Sequence, residues 1–135
     1  MIRKMQFQRT FSGSPWEPVV GYCRAIRAGN MIFVTGTAPV AQGGGVCAPG
    51  DAAAQTKRCF EIIDKALQEL GADLRHVVRT RMFVTDISRW EEYGRVHGEV
   101  FKDCPPATTM VEVKALIDPA MLIEIEADAV VDTMA

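Results

Sequence analysis

Long apolar runs are missing from this sequence, and no window approaches the roughly 18 consecutive apolar residues that a membrane-spanning helix needs. The opening residues Met1-Ile2-Arg3-Lys4-Met5-Gln6-Phe7 include two cations but no apolar stretch follows them, so they do not read as an export signal. The expectation is a soluble, cytoplasmic protein with no membrane partner. Histidine is scarce: His76 and His97 stand far from four widely spaced cysteines, Cys23, Cys47, Cys59 and Cys104, none of which forms a Cys-x-x-Cys pair. The ligand spacing of a zinc site is therefore missing, and reduced, mostly buried thiols are expected. A positive balance is lacking as well, with 15 Lys and Arg against 17 Asp and Glu. That removes the overall basic field that tight binding to nucleic acid or to an anionic membrane requires. The run Gly43-Gly44-Gly45 lacks the Gly-x-x-x-x-Gly-Lys spacing of a phosphate cradle and reads as a flexible loop. Repeats, low-complexity tracts and linkers are absent from the sequence.

What is present fits one domain over residues 1–135, because 135 residues at 48% apolar content can bury one ordinary core. Residues 5–9 can form a short edge strand, and residues 10–18, punctuated by Gly13, Pro15 and Pro18, read as loop. A second strand over 20–28 places Tyr22, Arg24 and Ile26 on one face. Gly29-Asn30 predicts a type I′ hairpin turn into a strand over 31–35, since both residues tolerate positive φ. Asp51 can cap a helix that stops at Gly71, with Phe60, Ile63, Leu67 and Leu70 as its apolar stripe. A buried strand over 77–84 follows. Ser88 and Glu91 then have capping-box spacing ahead of a second helix, whose inner face would take Trp90, Tyr93, Val96 or His97, and Val100 or Phe101.

In the last third, two strands are expected to meet within 104–113 and 121–131, with Ile117-Asp118-Pro119 in the turn between them. The second alternates strictly: Leu122, Glu124, Glu126 and Asp128 share one side, and Ile123, Ile125, Ala127 and Ala129 the other. A row of carboxylates about 7 Å apart is either a wet outer face or a face on which one acid, Glu124, turns into a pocket and handles a proton. Periodicity leaves both readings open. Two helices cover only one face of about six strands, which implies an α+β fold, a homo-oligomer, and a small-molecule cleft at the subunit boundary.

The chain resembles the RidA/YjgF family, also labelled endoribonuclease L-PSP or translation-initiation inhibitor. The matching stretches are Gly21-Tyr22, Gly29-Asn30-Met31-Ile32, Thr35-Gly36 with Pro39-Val40, Val78-x-x-x-x-Phe83-Val84-x-Asp86, Pro106-Ala107-x-Thr109-x-Val111-Glu112-Val113 and Ile123-Glu124-Ile125-Glu126-Ala127. The resemblance implies a fold like the Bacillus chorismate mutase, a mixed six-stranded sheet with two helices on one face, trimerising through the other, with clefts at the subunit interfaces. Active members hydrolyse reactive enamines and imines to keto acids and ammonia, without a metal or organic cofactor. In them an arginine holds the substrate carboxylate, and a glutamate on the last strand positions water. On this pattern Glu124 is the catalytic residue, and Tyr22 and Thr35 line the cleft.

The pattern departs where active members read Pro-Ala-Arg-Ser-Cys-Val-Glu-Val: Thr108 replaces the arginine and Met110 the cysteine position. Threonine offers one donor and no charge, so imino-acid deamination loses its carboxylate clamp; Thr108, with backbone N–H groups at the cleft, would bind a neutral or polar group, and Met110 is a further substrate-binding position. Arg24, Arg79 and Arg81 are the cations that could replace the anchor, Arg24 being the best placed; otherwise it is an exposed strand residue. His97 reads as a packing residue and Cys104 as inert. The expected function is a small-molecule hydrolase or deaminase-like enzyme acting on an imine or enamine. The alternative is a trimer that binds a metabolite without turning it over. A ribonuclease fits poorly, because the chain offers no basic and aromatic stacking platform.

Overall fold

The computed structural model describes residues 6–131. Six strands form one sheet in the order β1-β2-β3-β6-β4-β5: β1 Gln8–Thr10, β2 Ala25–Ala28, β3 Met31–Thr37, β4 Val77–Val84, β5 Ala107–Glu112 and β6 Ile123–Val130. All neighbours pair antiparallel except β4 and β5, which run parallel and need the crossover that helix α3, Trp90–Val100, provides. The strands expected to meet in the last third do not pair with each other, because β4 lies between them.

One face of the sheet carries the core. Ile123, Ile125, Ala127 and Ala129 of β6 are buried there against helix α2, Ala52–Glu69, together with Phe60, Ile63 and Leu67 from that helix's apolar stripe. Asp51 accepts a hydrogen bond from the Ala54 N–H and so caps α2, as the sequence predicts, and Gly71 follows the helix at φ +84°. Glu124, Glu126 and Asp128 take the opposite face beside the exposed Met31, Phe33 and Val111.

Several local expectations are corrected. The N-terminal strand is shorter, Gln8–Thr10, and Met5 lies outside the described residues. Within the segment read as loop, Trp16–Val20 forms a short helix, α1, which ends at Gly21 in the left-handed conformation at φ +89°. Pro18 is tolerated because the N–H groups of a first turn have no intrahelical partner anyway. The second strand therefore begins at Ala25 rather than residue 20, and Tyr22 and Arg24 belong to the segment leading into it. In the hairpin only Gly29 takes positive φ, +63°, which makes the turn type II′ rather than I′. No capping box forms at α3. Asp86 instead accepts from Ser88 N–H and caps a single turn, Ile87–Arg89, that precedes the helix, while Trp90 is exposed and Tyr93 and Phe101 form the buried face.

Candidate active site

The site is organised by a break in β3. Between Val34 and Thr37 the pairing with β6 shifts register, so one extra residue is accommodated and the strand bends beside Glu124. Gly36 sits in this bulge, and a side chain there would collide with the Glu124 carboxylate, since a Cβ would stand 2.6 Å from Oε2. Only glycine lets the backbone pass so close to the acid.

Arg24 fixes the bulge. Its side chain is buried, and Nη1 donates to the Gly36 carbonyl at 2.9 Å and to Thr37 Oγ1 at 3.1 Å. Thr37 in turn donates to the Thr35 carbonyl at 2.8 Å, and Thr35 N–H donates to the Arg24 carbonyl at 3.0 Å. The charge of Arg24 is met by Glu17 of α1, 3.4 Å from Nη2 and equally buried. Glu17 also accepts from the N–H and hydroxyl of Ser12. The Tyr22 ring lies under the guanidinium, 5.7 Å from its carbon. Arg24 is thus a buried tie between α1, β2 and β3, rather than an exposed strand residue. Nε is its single donor without a partner among the described residues.

Tyr22, Arg24, Gly36 and Glu124 share one cavity of about 820 Å³, which Arg58 and Lys65 of α2 also line. Glu124 is half-buried, and among the described residues its carboxylate accepts no hydrogen bond. Burial pushes its pKa up, with a contribution from Glu126, while the nearby positive charge of Arg24 pulls it back. An acid of this kind exchanges a proton more readily near neutrality than an exposed glutamate does. Of the two readings of the carboxylate row, Glu124 faces a pocket, whereas Glu126 and Asp128 are paired on the open face to Arg81, each at 3.2 Å. Arg81 is thereby committed away from the cavity.

The remaining sequence candidates fall elsewhere in the chain. Thr35 borders a second hollow with Cys23 and the other side of Tyr22. Thr108 and Met110 lie on β5, in register with Thr80 and Met82, and so project to the helix-covered face. Thr108 is exposed at the sheet edge and Met110 packs against the core. Two strand spacings and three residues separate Thr108 from Glu124, about 14 Å on opposite faces, so a single chain does not join them. Among the described residues no group of three or more His, Cys, Asp or Glu could hold a metal ion, and no helix is long and apolar enough to cross a membrane.

Glu17 is the residue that sequence reasoning missed. Its signal was present in Pro15-Trp16-Glu17, an acid in the first turn behind a proline at a helix entry.

The sequence model of the family described as Endoribonuclease L-PSP matches residues 13–131, which includes Glu17, Tyr22, Arg24, Gly36 and Glu124. The chain belongs to that family. A crystal structure of a member of the YjgF/YER057c/UK114 family from Mycobacterium tuberculosis superposes with a TM-score of 0.85 at 48% identity, covering 93% of this chain and 100% of that one. The YjgF gene product of E. coli superposes with a TM-score of 0.75 at 28% identity, over 90% and 92% of the two chains. Among curated relatives, the 3-aminoacrylate deaminase RutC of Acinetobacter baylyi is 34% identical over 113 residues, 84% of this chain and 88% of that one. The mixed six-stranded α+β sheet expected from the sequence is the fold of this RidA/YjgF family.

Proposed function

We propose that this protein hydrolyses a small imine or enamine, with Glu124 as the residue that handles the proton. The observation that carries the reading is a half-buried carboxylate without a hydrogen-bond partner among the described residues, its pKa raised, in a cavity beside a glycine bulge. Water adds to the carbon of the C=N bond, and Glu124 accepts a proton from it. The same proton returns to the nitrogen to give a carbinolamine, whose hydroxyl proton then passes to the nitrogen as the C–N bond breaks, leaving a carbonyl compound and ammonia. A relative named for 3-aminoacrylate deamination supports this class of reaction.

The substrate lacks a carboxylate at the position where active relatives are expected to clamp one. Thr108 stands there in place of arginine, and Arg24, the best cationic substitute, has its guanidinium committed to Glu17, Gly36 and Thr37. The assembly is a homotrimer in which the β5 edge of one subunit, with Thr108, completes the Glu124 cavity of the next. The exposed Met31, Phe33 and Val111 on the uncovered sheet face and the unpaired edge of β5 support this.

Ammonia release is the test, measured with freshly generated imines that carry a carboxylate and with matched amides. Wild type should act on the neutral member of each pair, and Glu124→Gln should lose about 10²-fold or more in turnover, as loss of a positioned proton acceptor does. A wild type silent on every pair, with ligand affinity unchanged in Glu124→Gln, would instead identify a metabolite-binding trimer.

A further inference from the structure

The parallel register of β4 and β5 places the hydroxyls of Thr80 and Thr108 side by side, 2.7 Å apart. Thr80 is fully buried, and above it His97 descends from α3 with Nε2 2.8 Å from the same hydroxyl. The imidazole is held by aromatic walls: the Phe60 ring meets it edge-on at 5.7 Å, and the Phe101 ring lies at 4.7 Å. Three polar side chains from α3, β4 and β5 therefore form one line from the interior to the exposed sheet edge. His97, read from sequence as packing alone, has a directed polar contact.

A threonine hydroxyl has one proton, so Thr80 can donate to only one of its two neighbours. Where Thr80 donates to Thr108, Nε2 of His97 must carry the proton and donate to Thr80. The proton of Thr108 is then left over. Its other acceptor among the described residues is the Met82 sulfur at 3.9 Å, a weak partner. A chain polarised in one direction strengthens its terminal donor. The charged residues of the same strand do not compete, because Arg79 and Arg81 pair in register with Asp128 and Glu126 on the opposite face.

We infer that Thr108 is a donor site for an uncharged carbonyl oxygen of the ligand, with Thr80 and His97 as positioning residues that aim its proton outward. One neutral donor matches one carbonyl oxygen, whereas a carboxylate presents two oxygens and a charge that this line does not balance. The inference rests on the proposed cleft, since it assigns the group that Thr108 recognises there, and it names an amide as the ligand class.

Binding of pyruvamide and of pyruvate, followed by calorimetry, tests the assignment without requiring turnover. Wild type should bind pyruvamide more tightly than pyruvate. Thr108→Val should lose about tenfold in pyruvamide affinity, the share of one neutral hydrogen bond. Thr80→Val, which keeps shape and removes only the relay hydroxyl, should lose about threefold, and Thr80→Ser should restore binding. The imidazole nitrogen shifts of His97 should report a proton on Nε2 in wild type and a changed tautomer balance in Thr80→Val. The inference is overturned by wild-type affinity in Thr80→Val, by an unprotonated Nε2, or by a wild type that does not prefer pyruvamide. Failure of ammonia release with this binding pattern intact would sink the hydrolase and leave the donor site standing.

Discussion

Replacing Gly36 by alanine would put a methyl carbon 2.6 Å from Glu124 Oε2 and 3.2 Å from its Cδ. Both atoms lie at the far end of a side chain that can rotate, so the clash moves the carboxylate and leaves the sheet in place. Inside a strand, alanine gains about 0.5–1 kcal/mol over glycine, and a glutamate pushed off its rotamer returns about 0.5–1.5 kcal/mol. These offset, and stability should change by less than about 1 kcal/mol. On the role proposed for Glu124, catalysis has no such offset, because displacing a reacting group by about 1 Å costs on the order of 10²-fold, or about 2.7 kcal/mol in the barrier. The assay pairs urea unfolding with ammonia release from the preferred imine. A variant that is as stable as wild type and about 10²-fold slower meets the expectation. A catalytic efficiency within about threefold of wild type, or a stability loss above about 3 kcal/mol, would refute the seating of Glu124 against Gly36.

Further outcomes follow from the buried charges and thiols. Arg24→Met strands the buried Glu17, and breaking such a pair costs about 3–5 kcal/mol; urea unfolding should show a loss near the lower figure, since Ser12 still donates to Glu17, and adding Glu17→Gln should recover part of it. A loss below about 1 kcal/mol would contradict the tie between α1 and the bulge. Burial holds the His97 pKa below its ordinary value, so the unfolded chain takes up this proton first as pH falls. Its contribution is complete above the unfolded pKa of about 6.5 and is lost on acidification below it; unfolding midpoints should fall less steeply in His97→Asn across that range, and equal slopes would exclude the effect. Glu124 acts with the opposite sign, because its raised pKa makes the folded state bind a proton first. Thiol labelling should modify the partly exposed Cys23, Cys47 and Cys104 in the native protein and reach Cys59, fully buried and with its pKa pushed far up by desolvation, only on unfolding. Equal rates at all four cysteines would disprove that burial.

Periodicity carried much of the architecture. The alternation in β6, the limits of β4 and the apolar stripe of α2 each depend on a repeat that one buried face imposes, and each is read directly from residue order. Pairing is a different matter. Nothing local in residues 107–112 says that β5 takes the edge beside β4 and leaves β6 in the centre, because partner choice is set by the crossover and not by either strand's own pattern. α1 escaped for a related reason: its five residues hold a proline and are too few for any period to show, and the contact of Glu17 with Arg24 joins residues that no local pattern links. Glu124 and Tyr22 were legible as cavity residues through the family pattern. The commitment of Arg24 to its own backbone was not, since it depends on a bulge whose register no alternation predicts.

The strand that holds Glu124 is the last of the six in chain order, yet it lies at the middle of the sheet, between β3 and β4. As the chain is made, β1 to β3 and β4 with β5 emerge as two ribbons that share no pairing. Each exposes an unpaired edge where β6 will insert, and such edges invite mispairing for as long as they stay open. Closure joins distant parts of the chain in one step, the kind of assembly that folds slowly. The acid and its glycine seat come together in that same step. A nascent or partly folded chain therefore has no such cavity, and the half-buried carboxylate takes its place only with the finished sheet.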